Sequence, residues 1–197
     1  ATVVPAGCLL EPAHLGVLAS IGISTVPVLR RPRVALLSTG DELREVGAAL
    51  ADGQLYDSNR ENLFGLLTRS GAEVIDLGLV EDNPAELGRL LLEAAEDADA
   101  IITSGGASVG EADHMTSLLA RLGTIDFASV AIKPGRPTLF GELAGTLFFG
   151  LPGNPVSVSV TYYQLVQPAL RKLCGASVDE PRIVLTARSR KALKTRR

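Results

Sequence analysis

From Val34 onward, short apolar runs alternate with amphipathic helical stretches, and that alternation leaves few folds open. Residues 34–37, 74–77 and 100–103 read as short strands. Between them, residues 59–70 place Leu63, Leu66 and Leu67 on one helical face, with Asp57 or Ser58 as cap and Gly71 as stop. Residues 84–96 carry a stripe of Leu87, Leu90, Leu91, Ala94 and Ala95. Residues 116–122 lie in a further helix and residues 127–132 read as a fourth strand. Residues 138–140 and 146–149 read as a hairpin around 142–145. Residues 156–173 are apolar nearly all round, which predicts a buried helix. Strand–helix–strand repetition predicts an α/β three-layer sandwich, a mostly parallel sheet covered on both faces.

Ahead of this lies an apolar prelude, with a helix expected over 12–21 and an extended stretch over 24–29. Arg30-Arg31-Pro32-Arg33 breaks the pattern and marks a boundary. At the other end, residues 182–187 read as a strand without a partner in the chain, the first strand of another domain.

In open α/β sheets, ligands bind beyond the carboxyl ends of the strands. The unusual loops here, 38–57, 104–113, 133–137 and 150–155, all follow strands, so they should gather along one edge. Gly150-Leu151-Pro152-Gly153-Asn154-Pro155 is a tight loop that launches a helix, with Asn154 as N-cap and Pro155 in the first helical position. Such a loop offers backbone N–H groups and a positive helix end to an anion. Ser157 sits in the first turn, where its hydroxyl could bind that anion or bond to backbone.

Thr103-Ser104-Gly105-Gly106-Ala107-Ser108 is small and Gly-rich, so its backbone can approach a phosphate or nucleotide closely, or simply turn. Glu111 and Asp113 follow it, and Asp41-Glu42 occupy the first long loop. Carboxylates beside a phosphate loop suit Mg²⁺; the plainer reading is a helix cap at Asp113 and a solvated Glu111. Lys133-Pro134-Gly135-Arg136-Pro137 presents two cations on a stiff turn, as an oxyanion grip or a plain surface turn.

Composition excludes several classes. A net charge of −3, few aromatics and no Trp argue against a nucleic-acid surface. Two cysteines, Cys8 and Cys174, make no disulfide scaffold and read as core thiols. His14 and His114 are the only histidines, so a His-rich zinc site or a Cys–His nucleophile pair is hard to assemble. No apolar run of membrane-spanning length and no signal-peptide pattern occurs, and a cytoplasmic location is expected. Six Lys/Arg within 188–197 read as a solvated end rather than a binding arm.

Taken together, Ser38-Thr39-Gly40-Asp41-Glu42-Leu43, Asp57-Ser58-Asn59, Ser104-Gly105-Gly106-x-Ser108-Val109-Gly110-Glu111-x-Asp113, Lys133-Pro134-Gly135-Arg136-Pro137 and Gly150–Ser157 closely resemble the MoeA family of molybdopterin molybdenumtransferases, related to the E domain of gephyrin. The resemblance implies a MogA-like fold and insertion of molybdate into adenylylated molybdopterin, with release of AMP and with Mg²⁺. It implies catalytic roles for Glu42, Asp113 and Lys133. Metal ligation would fall to Asp41, Glu42, Glu111 and Asp113. Substrate binding would fall to Asp57, Ser58, Ser104, Gly105, Gly106, Ser108, Arg136, Gly153, Asn154 and Ser157. Many members carry a second Lys where Arg136 stands, which keeps the charge and changes its geometry.

The resemblance also divides the chain. Residues 1–30 would be the tail end of an N-terminal region, 31–175 the molybdopterin-binding α/β domain, and 176–197 the start of a truncated β domain. A homodimer of the full-length protein and contact with other proteins of the pathway are implied, with little or no activity expected from this stretch alone. The alternatives are a MogA-like molybdopterin adenylyltransferase and a non-catalytic, gephyrin-like scaffold module. The Lys-Pro-Gly turn and the flanking segments favour the first reading.

Overall fold

The computed structural model describes residues 2–105, 112–176 and 185–192. Its centre is a six-stranded sheet. In chain order the first strands are β1 (Arg33–Thr39), β2 (Leu43–Arg44), β3 (Leu55–Tyr56), β4 (Glu73–Val80) and β5 (Ala100–Ser104). The remaining strands are β6 (Gly123–Phe127), β7 (Leu139–Leu143) and β8 (Thr146–Leu151). The main sheet runs β4-β1-β5-β8-β7-β6, and β2 pairs with β3 separately. Strands β4, β1, β5 and β8 are mutually parallel; β7 is antiparallel to both of its neighbours. The expected mostly parallel sheet is therefore present.

Its central strands are apolar because both faces are covered. In β1, Val34 to Leu37 are fully buried. Val34 and Leu36 pack on one side with Leu63, Leu66 and Leu67 of α2 (Ser58–Arg69). The same cluster holds Val158, Tyr162, Val166 and Leu170 from the last helical run. Ala35 and Leu37 face the opposite layer, α3 (Pro84–Asp97) and α4 (Ala112–Leu122), through Leu87, Leu91, Met115, Leu118 and Leu119. Alternate residues of one strand thus feed two cores, which gives the three layers.

Some boundaries differ from expectation. The fourth strand is β6, residues 123–127, not 127–132. Two glycines decide this. A Cβ on Gly123 would stand 1.8 Å from Glu142 O, and one on Gly141 2.0 Å from Thr124 O, so the β6 and β7 backbones meet where side chains are absent. Residues 128–132 then turn back, with Val130 N donating to Arg136 O at 2.9 Å. The last helical run is α5 (Pro155–Thr161), a π turn (Tyr162–Val166) and α6 (Gln167–Leu173), where one uniform helix was expected. In it the Tyr162 hydroxyl, fully buried, reaches Leu66 O at 2.9 Å and Ser70 Oγ at 2.7 Å.

The prelude contains α1 (Pro12–Ser20), of which only Leu18 is buried. Both cysteines are half-buried rather than core, and Cys8 Sγ does approach a histidine, His14 Nε2, at 3.7 Å. Of the strand expected over 182–187, residues 182–184 lie outside the described residues and 185–187 are irregular. Among the described residues no helix is long and apolar enough to cross a membrane.

Candidate functional site at the carboxyl edge of the sheet

Adjacent parallel strands β1, β5 and β8 end at Thr39, Ser104 and Leu151, so the loops that leave them emerge side by side. The 133–137 turn joins them because β7 runs the other way, its first residue Leu139 opposite Gly150 near the end of β8. Three close approaches fasten the loops together. A Cβ on Gly105 (φ +86°) would lie 2.1 Å from Thr39 O. One on Gly135 (φ +116°) would lie 2.6 Å from Thr161 Cγ2, so the 133–137 turn packs on α5. Asn59 Nδ2 donates to Gly153 O at 2.7 Å, tying the start of α2 to the loop before α5.

The helix starts are capped as the sequence predicts. Asn154 Oδ1 accepts from Val156 N at 3.0 Å and Ser157 N at 3.2 Å. Asp57, rather than Ser58, caps α2 and accepts from Arg60 N at 3.1 Å. Asp57 is 1% exposed, and its other oxygen takes Arg60 Nε at 3.2 Å. Its carboxylate is thus occupied within the protein. Arg60 continues the network to Asp76 (2.7 Å) and Glu45 (2.6 Å). Burial opposes the charge of this guanidinium, but Asp76, Glu45 and Asp57 outweigh it and hold the pKa above its usual value. The Asp76 contact uses a bulge: Leu36 faces Asp76 but Leu37 faces Gly78, so Leu77 is the extra residue.

Five buried side-chain atoms in the described residues lack a partner: Ser38 Oγ, Thr39 Oγ1, Asn59 Oδ1, Thr103 Oγ1 and Ser104 Oγ. All five belong to the ends of β1 and β5 or to the first turn of α2. An unpaired buried hydroxyl costs about 1–3 kcal/mol, so such a cluster marks a place where donors are kept for a ligand. Ser38 and Ser104 are register partners. By strand alternation both point to the α2/α5 side, while Thr39 and Thr103 point to the α3/α4 side. The Ser38–Ser104 pair therefore forms a floor between the starts of α2 and α5. Hydroxyl donors in that position fit the oxygens of a phosphate or another tetrahedral oxyanion.

Around this floor the expected site residues distribute unevenly. Ser104 and Ser157 are buried within it; Ser58, Gly153, Asn154 and Arg136 are exposed at its rim. Lys133 is exposed on a turn braced by Thr138 Oγ1 donating to Gly135 O at 2.7 Å. Asp41 and Glu42 are exposed on the loop after β1, where Gly40 leaves room for the Glu42 carboxylate, 3.0 Å from where a Cβ would stand. Gly106, Ser108, Glu111 and the side chain of Asp113 lie outside the described residues. Sequence reasoning missed Ser38, Thr39, Asn59 and Thr103, whose only signal was their place inside the Ser38-Thr39-Gly40, Asp57-Ser58-Asn59 and Thr103-Ser104-Gly105 runs.

No three-group metal cluster occurs among the described residues. Asp41 and Glu42 are hard oxygen donors nonetheless, and Mg²⁺ is commonly held by one or two carboxylates together with the phosphates of a substrate. The donor set fits that mode.

The molybdopterin molybdenumtransferase of Haemophilus influenzae is 52% identical over 169 residues, 86% of this chain and 42% of that protein. The molybdopterin molybdenumtransferase of a Nostoc species is 42% identical over 94% of this chain and 43% of its own length. The chain thus spans less than half the length of these curated relatives. Among solved structures, the molybdopterin biosynthesis MoeA protein of Pyrococcus horikosii superposes with a TM-score of 0.78 at 35% identity, covering 88% of this chain and 43% of that one. Residues 35–172 match the family model described as a probable molybdopterin binding domain, and this chain belongs to that family.

Proposed function

We propose that this chain provides the ligand-binding α/β domain for inserting molybdate into adenylylated molybdopterin, which yields the molybdenum cofactor and AMP. The observation that carries the reading is the paired, unpartnered Ser38 and Ser104 hydroxyls between two capped helix starts. They would bind a phosphate of the substrate, with the backbone at Gly105 and Gly106 approaching closely. Lys133 and Arg136 would hold the tetrahedral oxyanion, the first as a point charge and the second as a planar fork. Ser157 and the loop at Gly153 and Asn154 would close the other wall.

Asp41 and Glu42, with Glu111 and Asp113, would hold Mg²⁺, which when bound neutralises phosphate charge. Among the described residues at this edge of the sheet, no serine or threonine hydroxyl has the base partner that a nucleophile needs, so the contribution read here is positioning and electrostatics. Domains outside this stretch would complete the site, in a cytoplasmic homodimer.

The reading is tested by molybdate-dependent AMP release from the protein that carries this chain, with adenylylated molybdopterin as substrate. The isolated chain should bind AMP–Mg²⁺ but release little AMP. Asp113→Ala should abolish that nucleotide binding and Arg136→Ala should leave it, since Arg136 is assigned to molybdate. Loss in both, or in neither, rejects the division of roles.

A further inference from the structure

The loop 40–56 carries Asp41 and Glu42 but has little apolar packing. Val46, Leu50, Leu55 and Tyr56 are all exposed. Its regular structure is the short pairing of β2 with β3, with Leu55 N donating to Glu42 O (2.8 Å) and Asp57 N to Arg44 O (2.9 Å). So brief a pairing is marginal alone. The turn at its head is nonetheless specific: Leu43 N donates to Gly40 O at 3.0 Å, and Gly40 holds φ +152°.

What fastens this loop to the sheet layer is electrostatic. Glu45 follows β2 directly and sits three positions beyond Glu42. Its Oε2 takes Arg60 Nη2 at 2.6 Å. Arg60 itself has no freedom to follow the loop. Its Nε is held by Asp57 and its Nη1 by Asp76, from α2 and β4. The guanidinium is a rigid fork, so fixing two of its arms fixes where the third one points. Glu45 is 56% exposed, so it answers to Arg60 rather than to its own packing.

We propose that Arg60 is a positioning residue: through Glu45 it fixes the turn that bears Asp41 and Glu42, so that their carboxylates meet a hard divalent cation beside the Ser38–Ser104 floor. This rests on the reading of the site given above. Arg60 touches no ligand in this scheme, and the cap that Asp57 gives α2 does not depend on Glu45.

The test uses Glu45→Gln in the same chain, with Mn²⁺ as a paramagnetic stand-in for the cation. Glu45 lies on an exposed loop, so folding should persist and the thermal midpoint should move by less than about 2 °C. Amide exchange at Leu43, Leu55 and Asp57 should quicken about 3- to 10-fold. The Mn²⁺ concentration that half-broadens the Gly40 and Asp41 amide resonances should rise about 2- to 5-fold, the range of a half-exposed ion pair. Unchanged exchange overturns the anchor. Faster exchange with an unchanged Mn²⁺ midpoint overturns its link to the site. An unsubstituted chain that shows no Mn²⁺ broadening at all overturns the cation reading, and the proposal with it.

Discussion

Replacing Ser104 by Ala should stabilise the unliganded protein while weakening its ligand. Ser104 is 1% exposed and its Oγ has no partner. Removing an unsatisfied buried hydroxyl relieves about 1–3 kcal/mol of desolvation. The void left is roughly 15 Å³, which costs about 0.4 kcal/mol at about 24 cal/mol per Å³. The net gain is about 0.6–2.6 kcal/mol, a rise in thermal midpoint of about 1–10 °C for a chain of this size. Against a phosphate-bearing ligand the same hydroxyl is a charge-assisted donor worth about 1.5–3 kcal/mol, so affinity should fall about 10- to 150-fold. Calorimetric unfolding without ligand and titration with adenylylated molybdopterin measure the two effects on one preparation. Thr138→Val is the control, because the Thr138 hydroxyl is also buried but donates to Gly135 O at 2.7 Å. It should destabilise by about 1 kcal/mol. If Ser104→Ala lowers the midpoint as Thr138→Val does, the hydroxyl is satisfied and the floor is not a reserved site. If the midpoint rises but affinity holds, the ligand lies elsewhere.

The remaining predictions concern the scaffold around that floor. Arg60→Met should cost about 3–5 kcal/mol by urea unfolding, because Asp57 and Asp76 would keep their charges without the cation that compensates them. Gly105→Ala should cost about 2–4 kcal/mol, from a left-handed φ and a Cβ 2.1 Å from Thr39 O; equal stability would mean that the β5 exit does not abut β1. The Asp99 carboxyl is held below its usual pKa chiefly by hydrogen bonds from Arg30, at 2.6 Å each, and also by the Arg33 amide at 2.7 Å. A lowered folded pKa gives stability that is present above about pH 4 and lost as pH falls below it. Asp99→Asn should therefore flatten the acid limb of a urea-midpoint profile, and an unchanged limb would show the pair to be idle.

How much of this was legible in the sequence follows from how local each cause is. The apolar runs at Val34 and Ala100 report their own burial, so β1 and β5 could be read directly. Asn154 and Pro155 cap a helix by contacts within three residues, and that was readable too. The fourth strand was misread because residues 128–132 look strand-like alone, while β6 is chosen by a backbone contact between Gly123 and a residue of the next strand. The Arg60 network joins positions 45, 57, 60 and 76, which adjoin only after α2 docks on β4.

The Ser38–Ser104 floor depends on a parallel register between strands that are distant in the chain. A shift of one residue would turn one of the two hydroxyls to the opposite layer. Sequence could therefore name Ser104 but not its partner. That asymmetry has a physical consequence for what the site requires. Its loops tolerate exchange where the backbone supplies the contact, but the register of β1 on β5 is fixed by Val34, Leu36, Ala100 and Ile102 deep in the core. Core packing is thus what aligns the two donors, and substitutions there should change ligand affinity at a distance even when the chain stays folded.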